Sequence, residues 1–410
     1  MLSVRHEIPG LVATEREHSL PLDHGDPGGP RVTVFTRELA DPEGQERPLL
    51  LYLQGGPGFE SPRPSRTAAE PSWLERALKD FRVLMLDQRG TGRSSPVGPA
   101  LGGTPAEQAA HLAHFRADAI VADAEAIRRE LGVERWSVLG QSFGGFCALR
   151  YLSAAPGGLR EALFTGGLPP LEAGIDEVYR ATFARMGERN ERFYARYPAD
   201  RQRMLGLLER AGSEPLELPG GDRLTPGRVR QLGDVLGMSD GFERLHYLLE
   251  LDPSSPGFRH DAEQLTSFAR NPIYAVLHEA CWANGGRTAW SAQRVLEEQD
   301  WPAEYMTGEH VFPWMFDEPS LAPLREAAEL LGAREWPALY DAERLRTNEV
   351  PAAAIVYAED PYVERSFSEL TARSVAGLRV WLTNEYEHDG LWRDGERILA
   401  RLLDLARGRL

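Results

Sequence analysis

Three side chains in this 410-residue chain have the types that acyl transfer through a serine requires, and follow one another in an order known for such triads. Ser142 lies in Gly140-Gln141-Ser142-Phe143-Gly144, a G-x-S-x-G pattern. A serine hydroxyl is a weak nucleophile until a base takes its proton and donors face the oxyanion that forms. A strained strand-to-helix turn meets the geometric part of that need, because it lifts the hydroxyl above a sheet edge and turns the next N–H, here Phe143, toward the same point. Glycines belong on both sides of such a turn, where the backbone approaches itself too closely for side chains. The competing reading makes Ser142 a helix N-cap. The apolar run before it, the helical residues after it and Gly145, which permits close packing, favour the turn.

The base and its orienting acid follow in sequence. His388 lies in Tyr386-Glu387-His388-Asp389-Gly390, between the last strand and the last helix that the sequence predicts. Asp360 lies in Val356-Tyr357-Ala358-Glu359-Asp360-Pro361, directly after the preceding strand, with Glu359 as its rival. The order Ser142, Asp360, His388 is that of one of the three known serine-triad arrangements, the hydrolase one. Gln54-Gly55-Gly56-Pro57-Gly58 can offer further oxyanion donors from the backbone of Gly55 and Gly56, beside the one at Phe143. It is not a phosphate loop, since G-x-x-x-x-G-K-[ST] is absent. Asp87-Gln88-Arg89-Gly90-Thr91-Gly92-Arg93-Ser94 reads as a structural loop near the site, with Arg89 buried or paired.

These loops need strands to hold them. Short apolar runs bounded by turn signals predict strands at 31–35, 49–53, 83–86, 136–139 and 162–164, with helical spacing over 116–131 between two of them. Strand and helix in alternation imply a mostly parallel sheet covered on both faces, with the early strands open to antiparallel pairing. From about 171 to 350 the pattern becomes helical, with helices expected over 176–210, 242–249, 261–282, 290–298 and 321–331. Strand signals return at 352–357 and 378–382, followed by an amphipathic helix at 393–405. The expected organisation is therefore an α/β core formed by residues 1–170 and 351–410, interrupted by a helical cap domain at 171–350. Such an insertion joins the core where α/β folds place their binding crevices.

Composition narrows the setting. The chain has 42% hydrophobic and 26% charged residues, with 62 acidic against 46 basic side chains and a formal charge of -16. That field repels phosphate backbones, so nucleic acid is not an expected partner. No apolar run reaches the roughly 18 residues of a membrane span, and the first thirty residues hold no signal-peptide core. Cys147 and Cys281 are the two cysteines, too few for a disulfide framework, and the cytoplasm is the expected compartment. The oligomeric state is left open.

Q-G-G-P-G, D-Q-R-G-T-G-R-S, G-Q-S-F-G-G and the late E-D-P-Y-V and E-H-D-G together resemble the α/β-hydrolase peptidases of the proline iminopeptidase type, in their longer-chain form. The resemblance covers about 30–170 and 350–410, with weaker matches between. It implies Ser142 as nucleophile, Asp360 as orienting acid, His388 as base, and the backbone of Gly55, Gly56 and Phe143 as oxyanion hole, with no metal and no cofactor. Gln54 stands where such chains often carry histidine; because the backbone acts there, little change in chemistry is expected. The implied partners are peptides with a free N-terminal proline.

An enzyme that recognises a free N-terminus needs a carboxylate held where only an ammonium can meet it. Glu279, in the apolar stretch Asn271 to Trp282, is the first candidate, because a buried carboxylate is costly without a cation; an internal salt bridge is its alternative, and Glu188 and Glu243 are weaker seconds. The segment is not a zinc motif, since H-E-x-x-H fails at Trp282. Tyr274, Trp282, Phe146, Phe143, Phe312 and Trp314 are candidates to line an apolar pocket for the proline ring. Two other functions compete: an esterase or amidase acting on small hydrophobic acyl groups, and a catalytically silent hydrolase fold used for binding. Epoxide hydrolase and dehalogenase chemistry would need aspartate at position 142.

Overall fold

The run Leu49-Leu50-Leu51-Tyr52-Leu53 is buried along its whole length, as expected of a strand covered on both faces. In the computed structural model, which describes residues 2–64 and 72–410, it is β4 of a nine-stranded sheet. The strands are β1 (Leu2–Ile8), β2 (Leu11–Pro21), β3 (Arg31–Ala40), β4 (Leu49–Leu53), β5 (Arg82–Asp87), β6 (Trp136–Gln141), β7 (Leu159–Thr165), a small separate pair β8 (Leu216–Glu217) and β9 (Arg223–Leu224), then β10 (Ala352–Tyr357) and β11 (Leu378–Thr383). The large sheet runs β1-β2-β3-β5-β4-β6-β7-β10-β11. The first pairings, β1 with β2, β2 with β3 and β3 with β5, are antiparallel, and the rest are parallel.

Helices α1 (Trp73–Asp80), α2 (Pro105–Leu112), α3 (Ala117–Glu130) and α4 (Phe143–Ala154) alternate with the early strands. Between β7 and β10 come α5 (Ile175–Arg196), α6 (Pro198–Ser213), α7 (Pro226–Gln231), α8 (Gly241–Leu249), α9 (Pro256–Thr266), α10 (Pro272–Trp282), α11 (Ser291–Glu297), α12 (Arg325–Gly332) and α13 (Ala342–Arg346). The chain closes with α14 (Arg365–Ser374), α15 (Gly390–Arg393) and α16 (Gly395–Ala406). Alternation along β4 divides the core: Leu49, Leu51 and Leu53 pack with residues of α3 and α4, whereas Leu50 and Tyr52 pack with α1 and α16. Helices α5 to α9 have an apolar centre of their own around Met186, Phe193, Leu207, Leu232, Leu245 and Phe258. Helix α10 instead joins the main core through Ile273, Leu277 and Cys281.

Two expected helices are broken by proline. The run expected over 176–210 divides at Pro198 into α5 and α6, and the one over 261–282 divides before Pro272 into α9 and α10. In both cases proline takes the first helical position, where its missing N–H costs nothing. Strands β1 and β2 lie outside the strands expected from sequence; β1 is an edge strand, exposed over most of its length and rich in charge, so no apolar run marks it.

The chain runs from β4 outward to β5, then returns to place β6 on the other side of β4. The carboxyl ends of β4 and β6 therefore lie side by side, paired from Leu50–Ser137 to Leu53–Gly140, at a topological switch point of the sheet. The loops that follow these two strands are Gln54 to Gly58 and Ser142.

Candidate active site

Strand β6 ends at Gln141 and α4 begins at Phe143, so Ser142 is the whole turn. Its backbone has φ 53° and ψ −121°, a left-handed conformation unusual for a side-chain-bearing residue, and strain of this kind clusters at functional sites. The turn is held by the Ser142 N–H, which donates to the Thr165 carbonyl (2.7 Å). Glycine is required beside it: a Cβ on Gly144 would lie 1.9 Å from the Leu53 carbonyl oxygen. The Ser142 side chain makes no capping hydrogen bond to α4, so the N-cap reading fails and the hydroxyl is free for other work.

His388 follows β11 and Asp360 follows β10, and the structure brings them together. His388 Nδ1 donates to Asp360 Oδ2 (2.6 Å). The other Asp360 oxygen, Oδ1, accepts from the N–H groups of Tyr362 (2.9 Å) and Val363 (3.2 Å), so the carboxylate is fixed at both ends. Glu359 turns away to pair with Arg192. Burial opposes a charge on His388, but the Asp360 carboxylate, by its charge and its hydrogen bond, and then the charges of Glu309 and Asp389, outweigh it and hold the imidazole above its ordinary range. The ring is braced by the edge-to-face Tyr362 ring (4.9 Å) and by the Gln141 amide, which donates to the His388 carbonyl (3.3 Å). Ser142 and His388 are neighbours across Gly166, where an added Cβ would lie 3.0 Å from Ser142 N and 3.1 Å from His388 Cε1. With Nδ1 committed to Asp360, Nε2 is the nitrogen left to serve a reacting proton.

The glycine-rich turn after β4 completes one wall. A Cβ on Gly55 would sit 3.2 Å from both Ser142 Cβ and the Gln141 carbonyl, so the Gly55 backbone lies directly against the serine. Gln88 Nε2 donates to the Gln54 carbonyl (2.8 Å) and fixes the turn. Its neighbour Arg89 is both buried and paired, with Asp123 and with the Leu22, His114 and Pro21 carbonyls. Phe143 opens α4, and the first N–H groups of a helix have no partner within it.

Ser142 and His388 face one cavity of about 250 Å³. Gln54, Gly55, Gly56, Phe59, Gln141, Met238, Phe268, Tyr274, Tyr362 and Trp392 line it, together with three carboxylates, Asp234, Glu309 and Asp389. Of the residues expected from sequence to bind substrate, Tyr274 is in place, stacked on Phe268 (5.1 Å) and edge-on to Phe59 (5.7 Å). Glu279 is not in this wall. Its Oε1 accepts from the Ala292 N–H (2.9 Å) at the start of α11, so the carboxylate that looked like an ammonium anchor is a helix cap inside the protein. Burial raises its carboxyl above the usual range, against the Ala292 and Ser291 N–H groups. Phe146 and Trp282 are core residues packed on each other (4.8 Å). Phe312 and Trp314 stack away from the cavity, and Glu188 and Glu243 pair with Arg185 and Arg196.

Asp234 and Glu309, unlike Glu279, line the cavity that Ser142 faces. Glu309 Oε2 accepts from the Tyr274 hydroxyl (3.0 Å), and its Oε1 lies 3.7 Å from His278 Nε2. Asp234 is pushed up to about 7 by desolvation and then by the Glu309 charge. Asp234 lies in a six-residue 3-10 helix, Leu232–Gly237, and Glu309 in a non-helical stretch, so no 3.6-residue period marks either as inward-facing. A faint signal was available for Asp234, a single carboxylate among Leu232, Val235 and Leu236.

A nucleophile elbow on a mostly parallel sheet, with Ser142 and His388 lining one cavity and Asp360 hydrogen-bonded behind His388, defines the class of α/β hydrolases. The family model for the alpha/beta hydrolase fold matches residues 48–392. The chain is similar to a proline iminopeptidase of Aeromonas sobria, 44% identical over 98% of this chain and 99% of that one. It is also similar to the proline iminopeptidase aneH of Aspergillus aculeatus, 34% identical over 99% and 96% respectively. Among solved structures, esterase E22 shares the fold with a TM-score of 0.50 at 12% identity, covering 96% of this chain and 100% of its own. The chain belongs to the proline iminopeptidase family of α/β hydrolases. No helix among the described residues is long and apolar enough to cross a membrane.

Proposed function

We propose that the protein is a serine exopeptidase that releases N-terminal proline from peptides through an acyl-enzyme on Ser142. The observation that carries this reading is one small cavity lined by Ser142 and His388 together with Asp234, Glu309 and the aromatic rings of Phe59, Phe268 and Tyr274. The carboxylates offer an ammonium partner, and Phe59, Phe268 and Tyr274 offer apolar surface to the pyrrolidine ring. The cavity lies at the small end of ligand sites, which suits one residue with the remaining peptide outside. Residues 171–350 act as a cap that supplies the amine-recognising wall.

In the reaction, His388 Nε2 takes the Ser142 hydroxyl proton as Oγ attacks the prolyl carbonyl carbon. The carbonyl oxygen becomes an oxyanion and accepts from the N–H groups of Phe143 and of the Gly55-Gly56 turn. Asp360 holds the imidazole in the required tautomer and stabilises its charged form. The imidazolium returns the proton to the leaving amine, the C–N bond breaks, and the shortened peptide departs. Water, deprotonated by His388, then attacks the ester and frees proline and Ser142.

The test is hydrolysis of an L-prolyl anilide beside a p-nitrophenyl ester of a small acid, with Ser142→Ala as the blank and fluorophosphonate labelling of the wild type. Turnover of the anilide that Ser142→Ala abolishes, with label on Ser142, is the expected result. Ester turnover without anilide turnover would replace the peptidase reading by an esterase one. Absence of both turnover and label would make the fold catalytically silent.

A further inference from the structure

Helix α5 presents Arg185, Arg189 and Arg192 at positions i, i+4 and i+7, which share one helix face. That face meets the loops carrying Asp360 and His388. Arg185 pairs with Glu364 (3.0 Å) and Arg192 with Glu359, both pairs partly open to solvent. Arg189 is different, because it is buried, with 4% of its surface exposed, and touches both loops. Its Nη1 donates to Glu387 Oε1 (2.9 Å), while its Nη2 donates to Glu387 Oε2 and to the Glu359 carbonyl oxygen (3.0 Å). Glu387 immediately precedes His388, and Glu359 immediately precedes Asp360.

From this geometry we infer that Arg189 is a positioning residue for the reaction: one guanidinium ties the residue before the acid to the residue before the base and so fixes the two loops in register. The inference rests on the reading that Asp360 and His388 serve Ser142. The two loops leave different strands, β10 and β11, and their direct link within the site is the hydrogen bond between His388 and Asp360. Orientation errors of about 1 Å in a catalytic group can cost on the order of a hundredfold in rate, so a second, external link has a kinetic consequence. A planar fork can hold a carboxylate and a carbonyl together, whereas a lysine ammonium meets them as a single point. The other side of the His388 loop is also held from the helical region, since the His388 N–H donates to the Gly237 carbonyl (3.1 Å) and the Ser239 hydroxyl donates to Asp389 Oδ1 (2.6 Å). The helices between β7 and β10 therefore shape the substrate wall and also hold the base in place.

The experiment compares Arg189→Met and Arg189→Lys in the full chain, reading kcat and KM on an L-prolyl anilide, the rate of Ser142 labelling by a fluorophosphonate, and the thermal midpoint. In Arg189→Met, kcat and the labelling rate are expected to fall together by about tenfold or more, with KM within about threefold, because Glu309 and Tyr274 are untouched. Arg189→Lys is expected to recover part of that loss. Arg192→Ala, which removes an exposed pair, is expected to stay within about twofold in both rates. Rates within twofold of wild type with only a lowered midpoint would reduce Arg189 to a structural role, and a raised KM at constant kcat would make it a binding residue; either overturns the inference. Should Arg189→Met fail to fold, Arg189→Lys and Glu387→Gln decide by the same criteria. Persistence of labelling in Ser142→Ala would instead sink the reading of the site itself.

Discussion

The sheet and the helical region hold their parts of the site by different physics. On the sheet, Ser142 is placed by backbone against backbone: Gly144 meets the Leu53 carbonyl, Gly55 meets Ser142, and no side chain fits between. In the helical region, Glu309 and Arg189 are placed by charge and hydrogen bonding, with Tyr274 on Glu309 and Arg189 on Glu387. Steric placement tolerates almost no substitution and leaves a fixed motif in the chain. Placement by paired charges leaves each residue in a segment of ordinary composition.

The sharpest break in that comparison is Gly144→Ala. One methyl group directed at a backbone carbonyl 1.9 Å away has no space, and a loss of more than about 3 kcal/mol, read by denaturant unfolding, is expected. Glu309→Gln should leave the fold intact and act on binding. Removing one charged partner of the substrate ammonium, worth about 1.5–3 kcal/mol, should lower kcat/KM on a prolyl anilide by roughly 10–100-fold, mainly through KM.

The pH dependence sets the two properties of His388 against each other. Catalysis needs the neutral imidazole, and Asp360 holds the folded-state pKa above the ordinary value, so kcat/KM should rise with a midpoint above about 6.5. The same raised pKa contributes stability that is fully present below the unfolded value and fades as pH rises through the folded one. Activity should therefore increase across the window in which this contribution to stability declines, and a kinetic midpoint at or below 6.5 would contradict the assigned environment. The smallest effect belongs to Glu279→Gln. It caps α11, so about 1 kcal/mol of stability should be lost with KM unchanged.

The same contrast explains what could be read from the sequence. Gly140 to Gly144, Gln54 to Gly58, Asp360 and His388 are adjacent to strand ends that short apolar runs already mark, so the sheet and the elements of its site were legible. Glu279 misled because a carboxylate in an apolar helix signals burial without saying what meets it, and here backbone N–H groups do. Asp234 lies in a short 3-10 helix and Glu309 in a non-helical stretch of the helical region, where neither period 3.6 nor period 2 assigns a face. Arg189 stands three and four residues from Arg192 and Arg185 on one helix face, which reads as a solvated charge stripe until tertiary packing buries its middle member. The exposed β1 and the proline breaks at 198 and 272 shifted boundaries without changing the architecture.

In the proposed function, the helical wall of the cavity recognises a free N-terminus for a serine on the sheet. The most direct measurement of this is kcat/KM for Pro-X peptides and their N-acetylated counterparts, in wild type and in Glu309→Gln. Rapid cleavage of the free-amine peptides alone is expected in the wild type, with a preference over acetylated peptides that shrinks in Glu309→Gln. Equal cleavage of both forms by the wild type would contradict the proposed function.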